Sequence, residues 1–387
     1  MVSDQKNNTR AAFAPPRAVY IVICALPVVM TILFYALRGN PSAMEWATTA
    51  ISAPVRGVLG LFSSVYPFSL MEILCVAAGI WVIYYIVRTV VVTARRREKL
   101  KILLKRVVTL SVTALYVWGI FCWLWNSGYH APGFAEKNGF TGGGVSVNEL
   151  TAAANLFAEK ANELSQLVDR DGDGRYSGNR RDFFEMSTQI YQNITHIFPS
   201  LAGRIYKPKS MLFSWLMDRT GYTGIYFALT GESNINTNAP LVLMPATIAH
   251  ELAHQRGVFA EDEANFVGIL ACVTSENTIY EYAGYLMGLT YLRSALFSAD
   301  LQAGADLSNS LCAEVNRDLQ DNYDYWQSQK TVETGVEFFD NVLTSLTEVV
   351  SETVDAVYDG YLKSQDQDLG IRSYGACVDL LVEYYSR

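Results

Sequence analysis

Three long apolar runs near the start of the chain constrain everything that follows. Val19–Leu37 is almost uninterrupted apolar sequence, Phe68–Val92 is a second such run, and Val107–Trp125 is a third. A helix of about 20 apolar residues is long enough to cross the hydrocarbon of a bilayer, and each run meets that length. Trp123 and Trp125 close the third run where a membrane–water interface belongs. The first run is too long for the apolar part of a cleavable leader, and no small-residue cleavage site directly follows it. The expectation is three transmembrane helices at about 19–37, 68–92 and 107–125, within an N-terminal region of residues 1–127.

The basic residues orient these spans. Arg95, Arg96, Arg97, Lys99, Lys101, Lys105 and Arg106 lie between the second and third, against the single acid Glu98. Lys6, Arg10 and Arg17 precede the first. Positive charge stays on the cytoplasmic side, so the N-terminus is expected inside and everything after about Trp125 outside the cytoplasmic membrane. The segment Arg38–Pro67 then also faces outward, and its amphipathic part, Trp46–Phe62, is expected along the membrane surface. The net charge of −8, with no basic stripe interleaved with aromatics outside these flanks, argues against nucleic acid as a partner.

Past the spans, residues 128–145 read as a glycine-rich linker and 146–387 as an extracytoplasmic domain. Ser146-Val147-Asn148-Glu149 is a capping box that starts a helix running to about Val168. Asp169-Arg170-Asp171-Gly172-Asp173-Gly174 resembles the first half of a calcium loop. Arg180 stands where that loop needs a glutamate, so a polar turn is the default reading. A helix is expected over Arg180–Ile197. Cys312 and Cys377 leave open a disulfide in an oxidising compartment.

The chemistry is concentrated in Ala246–Gly257. The chain has only 4 histidines, His130, His196, His250 and His254, and the last two frame an H-E-x-x-H motif. Residues four apart share one face of a helix, so His250 and His254 offer their imidazoles to one Zn²⁺ ion. Glu251, one step round, reaches a metal-activated water in the role of general base. Pro245 suits the first turn of this helix and Gly257 its end. Gly224–Leu229 reads as a strand preceding it, and such an edge strand is able to hold an extended substrate by backbone pairing. Two imidazoles leave zinc short of a ligand. Glu261 is the first choice for the third and Glu263 the second. Asn265 shares a face with Glu261 and is placed to support a ligating histidine. Helices over Glu276–Ala295, Ser310–Tyr323 and Val336–Lys363 follow, and Tyr374 is a candidate oxyanion stabiliser.

HELAHQRG (His250–Gly257) and EDEANF (Glu261–Phe266) resemble the bacterial membrane proteins grouped as domain-of-unknown-function family 3810. The resemblance extends to Gly224–Asn236, Tyr361–Lys363 and Ser373–Gly375, and to the multi-span N-terminus. It implies a zincin-like metallopeptidase. E-x-x-A-N at Glu261–Asn265 is also similar to the E-x-x-A-D of membrane gluzincins, which implies Glu261 as ligand and Asn265 as the residue that orients a histidine. The neutral amide departs from the acid of that pattern and makes a weaker acceptor. The expected fold is therefore an α-helical membrane anchor carrying an α-rich α+β zincin-like domain. The expected activity is hydrolysis of peptide bonds outside the cytoplasm. A non-catalytic zincin-fold receptor or scaffold for a peptide or envelope partner is the rival reading, and hydrolysis of a non-peptide envelope amide is a third.

Overall fold

A computed structural model describes residues 17–330, 337–365 and 374–387, without the side chains of 17, 337–343, 346 and 374. The chain is mostly helical. Helix α1 spans Arg17–Leu37, α2 Pro41–Ala47, α3 Ala53–Ser63, α4 Leu70–Arg95 and α5 Lys99–Leu124. Of these, α1, α4 and α5 are the 3 helices long and apolar enough to cross a membrane. The third span starts earlier than the apolar run suggests. Lys99, Lys101, Lys105 and Arg106 form the first turns of α5 rather than a loop, because Lys and Arg propagate a helix well and no breaker separates them from Val107.

The folded body begins within this N-terminal region. On α3, Arg56, Gly60 and Ser63 continue a buried stripe that starts at Ser52 just before it, while Val55, Val58 and Phe62 are exposed on the other side. The 3₁₀ turn Asn126–His130 is buried throughout. After α6 (Phe134–Lys137) and α7 (Val147–Ser165) come α8 (Arg180–Met186) and α9 (Ile194–Ile197), then β1 (Lys209–Ser210), α10 (Ser214–Thr220), β2 (Gly224–Phe227) and β3 (Glu232–Ile235). Helices α11 (Met244–Gln255), α12 (Glu261–Val273), α13 (Thr278–Ala299), α14 (Leu301–Asn309), α15 (Ala313–Ser328), α16 (Glu337–Ser364) and α17 (Tyr374–Ser386) complete the chain. The capping box opens α7 as expected, with the Ser146 hydroxyl accepting from the Glu149 N–H. The helix expected over 180–197 is instead two short pieces separated by turns.

The core lies where α7, α11, α12, α13 and α17 pack together, with Phe157, Leu252, Phe266, Leu289 and Leu381 fully enclosed. Phe134 and Phe140 join it, so the stretch expected as a linker is part of the folded body. Two aromatic side chains recover more burial energy there than glycine-rich flanks suggest, roughly 1.5–3 kcal/mol for each side chain fully buried. Cys312 and Cys377 are both free, so the open disulfide is not formed; Cys312 faces the Ser165 hydroxyl and Cys377 is enclosed in the core. The Asp169–Gly174 segment is a tight turn. Asp171 accepts from the N–H groups of Asp173 and Arg175, at 3.0 and 2.9 Å.

The sheet has the order β1-β3-β2, with β1 parallel and β2 antiparallel to β3. Gly224 pairs with Ile235 and Tyr226 with Ser233, which leaves β2 as an edge strand. Gly224 and Tyr226 therefore face α11, and Ile225 and Phe227 face away. The sheet is tied to the membrane helix α4. Glu232 accepts from the N–H groups of Leu70 and Met71 at 3.1 and 3.0 Å, and Glu72 accepts from those of Leu212 and Phe213 at 3.1 and 2.8 Å.

Candidate metal centre

The motif folds as α11 because Pro245 occupies its first turn, where its missing N–H has no intrahelical partner to serve. At the other end Gly257 takes φ 90°, a conformation that side chains resist, and reverses the chain. The reversal brings the Val258 carbonyl to 2.8 Å from His254 Nδ1. With Nδ1 as donor there, the lone pair of Nε2 points into the site. Helix α12 returns alongside α11 at very short range. A Cβ on Gly268 would lie 2.9 Å from the His250 backbone nitrogen. This close approach sets Glu261 opposite both histidines.

His250 Nε2 lies 3.3 Å from Glu261 Oε2, and His254 Nε2 lies 3.5 Å from Glu261 Oε1. Charge-assisted N–H···O bonds run at about 2.7–2.9 Å, so these contacts are long for hydrogen bonds. A tetrahedral ion with ligand bonds of about 2.0–2.1 Å spaces its donors about 3.3–3.4 Å apart, which matches. Among the described residues, His250, His254 and Glu261 form the group of His, Cys, Asp and Glu side chains able to hold a metal ion, with donor atoms within 4.8 Å of one another. Two neutral imidazoles and a carboxylate also suit zinc as a donor set.

The three side chains are electrostatically coupled. Burial disfavours the imidazolium of His254, but the Glu261 and Glu251 carboxylates outweigh it and lift the pKa to about 9. Burial likewise opposes ionised Glu261, and His254 and His250 overcome it and hold the carboxyl well below its ordinary range. Glu251 stands apart. Burial raises its pKa, Glu261 adds to the rise, and the two histidines oppose it. Its carboxylate accepts the backbone N–H of Tyr226 on β2, while Oε2 is buried without a partner. The strand passes so close that a Cβ on Gly224 would stand 2.6 Å from Glu251 Oε1.

Other expected residues are placed differently. Glu263 turns away from the site and caps α6, accepting from the N–H groups of Phe134 and Ala135 at 2.8 Å each. Glu261 and Glu263 cannot both look into the site, because residues two apart on a helix point about 200° apart. Asn265 is buried against α13, where its Oδ1 meets the Tyr291 hydroxyl at 3.5 Å. No described hydrogen bond joins it to either histidine, and His250 Nδ1 is buried without a partner. The side chain of Tyr374 lies outside the described residues.

Two contributors are not visible in the motif. Tyr358 on α16 donates its hydroxyl to Glu261 Oε1 at 2.6 Å, and burial together with Glu261 pushes its own pKa up, so it stays a donor. The chain has 23 tyrosines, and nothing in the sequence marks this one. Arg56, from the segment between the first two spans, donates to the carbonyl of His254 at 3.3 Å and to the Tyr226 hydroxyl at 3.5 Å. Its guanidinium also lies 5.1 to 5.9 Å from the ring centres of Trp125, Tyr226 and Phe259. A cation at the C-terminal end of α11 is favoured by the helix dipole.

Fold and site together define a mostly helical membrane protein with a partly buried His-Glu-His cluster of metal-binding type beside a buried carboxylate, that of Glu251. The chain belongs to the family described as protein of unknown function DUF3810, whose model matches residues 48–382. No curated protein and no solved structure matches it.

Proposed function

We propose that the chain is a membrane-anchored, zinc-dependent metallopeptidase of zincin-like fold, acting outside the cytoplasm. The observation that carries this reading is the placing of Glu251. Its buried carboxylate, with a raised pKa and an unpartnered oxygen, stands beside three donors spaced for one ion. A purely structural site needs no such base, which weighs against a receptor or scaffold. Zn²⁺ held by His250, His254 and Glu261 would supply a Lewis acid and a water of lowered pKa. Glu251 then takes a proton from the attacking water and delivers it to the leaving amine, a task its raised pKa suits. The Tyr226 N–H fixes the orientation of that carboxylate. The free edge of β2 at Gly224, directly against Glu251, is where an extended peptide would pair. Tyr358 holds Glu261 by donating to Oε1, the oxygen that also faces His254. The location outside the cytoplasm follows from the basic residues flanking the spans.

The test is metal content and peptidase activity of the purified full chain. Wild type is expected to hold zinc near one equivalent, and His254→Ala and Glu261→Ala to lose it. Glu251→Gln is expected to keep zinc and lose hydrolysis of a quenched fluorescent peptide by about 10²–10⁴-fold. A Glu251→Gln protein as active as wild type ends the mechanism. A folded wild type that takes up no zinc returns the domain to a binding role.

A further inference from the structure

A second site lies at the other side of α4's entry into the sheet. A cavity of about 470 Å³ is lined by Arg180, Arg181, Lys207 and Lys209, and closed on one side by Ser64–Pro67. No carboxylate among the described residues lines it. Arg181 is shared with Glu185 at 2.9 Å, outside the lining. Lys209 is buried and donates to the carbonyl of Tyr66, which pins the cavity wall to the strand β1. In a chain of net charge −8, four cations in one lining are a local feature and not a consequence of composition, although Glu185 lies near Lys207 and Glu232 near Lys209 outside the lining.

The position identifies the ligand. Ser64–Pro67 is the connection from the amphipathic α3 to the membrane helix α4, which begins at Leu70. From Ile73 onward α4 exposes apolar side chains. Val65 in the lining is 76 % exposed, Phe62 packs on the lining residue Tyr66 and is 59 % exposed, and Leu212 and Trp215, which follow the lining residue Ser210 in the chain, are 79 and 58 % exposed, an arrangement a water-facing surface does not favour. Leu212 is fixed at this level by its N–H bond to Glu72 in the first turn of α4. Apolar side chains, a tryptophan and clustered cations at the end of a membrane helix match the layer of glycerol and phosphate groups. We propose that this cavity binds the phosphate of an anionic phospholipid in the leaflet nearest the folded domain, with Arg180, Lys207 and Lys209 on the headgroup and α3 and α10 resting on the lipid.

The test titrates the full chain, in a non-ionic detergent, with short-chain phosphatidylglycerol, short-chain phosphatidylcholine and inorganic phosphate by calorimetry. Phosphatidylglycerol is expected to bind saturably and more tightly than the zwitterionic lipid, and free phosphate at equal concentration is expected not to displace it. Lys207→Ala and Arg180→Ala are expected to weaken binding about five-fold each, the increment of one cation near an anionic surface. Both side chains are exposed, so the variants should melt with wild type. The charge-preserving pair Arg180→Lys and Lys207→Arg should bind as wild type does. Equal binding of the two lipids, or unchanged binding in the double alanine variant, overturns the proposal. Free phosphate binding as tightly as phosphatidylglycerol overturns the lipid as the source.

Discussion

Gly224 shows how little room surrounds the carboxylate on which the proposed chemistry turns. Alanine at this position would push a methyl group to 2.6 Å from Glu251 Oε1 and 2.8 Å from its Cγ. Gly224→Ala should therefore shift Glu251 while leaving His250, His254 and Glu261 alone. The expected result is full zinc content with peptide hydrolysis reduced at least about ten-fold, read by metal analysis and a peptide assay on the same sample. The pKa of His254 leads to a second expectation. A metal must displace the proton that Glu261 and Glu251 hold on this ring up to about pH 9. Apparent zinc affinity should thus climb with pH, by about ten-fold per unit, and level off above that value. In the metal-free protein the sign reverses. The raised His254 pKa contributes stability that is complete below about pH 6.5, its ordinary value. That stability is lost as pH rises through about 9. Thermal midpoints of chelator-treated protein between these limits should fall with pH, and a flat profile would remove His254 from the coupled pair. The motif made His250, Glu251 and His254 legible from the sequence, because one helical face fixes their relations. The choice between Glu261 and Glu263 needed the turn at Gly257, since only the packing of α12 decides which acid looks inward. Tyr358 and Arg56 were not legible, because each arrives from a distant segment by tertiary packing alone.

Helices α11 and α12 work as one unit, since each carries part of the donor set and Gly268 lets their backbones touch. Gly268→Ala would bring a methyl group to 2.9 and 3.0 Å from the His250 nitrogen and Cα, both backbone atoms that have nowhere to turn. The helices must separate, at a cost of about 1–3 kcal/mol for overpacking. The same separation draws Glu261 away from the histidines, so zinc affinity should fall with stability. Thermal unfolding and a zinc titration check both, and a variant that loses stability but binds zinc as wild type would uncouple the helix contact from the site. Element ends were less legible than element identity. Charged residues extended α5 to Lys99 because helix propensity outlasts the apolar run. The stretch from Arg180 broke at Met186 because its polar turn residues find side-chain and backbone partners outside a helix.

The division of the molecule into anchor, spacer and outer domain followed composition, and composition does not register which polar groups a segment will meet. Arg56 and Trp125 lie on the anchor side of that division, yet both are buried, 5 and 7 % exposed, against residues of α11 and the strand beside it. Trp125 lies 5.6 Å from the His254 ring and 4.8 Å from that of Phe259. The α4 N–H groups at Leu70 and Met71 likewise satisfy Glu232, whose carboxylate is otherwise buried within the sheet. A chain beginning at Gly128 would therefore leave Glu232 without its donors and the His254 carbonyl without Arg56. It would also expose the Tyr226 and Phe259 rings that Trp125 covers. An uncovered buried charge and an aromatic patch each favour unfolding or association. We expect that shortened chain to aggregate, or to bind zinc at least about ten-fold more weakly than the full chain, because the turn that aims His254 loses its clamp. Zinc titration beside sedimentation of both proteins decides this. A shortened chain that is monodisperse and binds zinc as tightly as the full chain would mean that the anchor only tethers the site; weaker binding would mean that the N-terminal region, with Arg56, Trp125 and the start of α4, helps to build it.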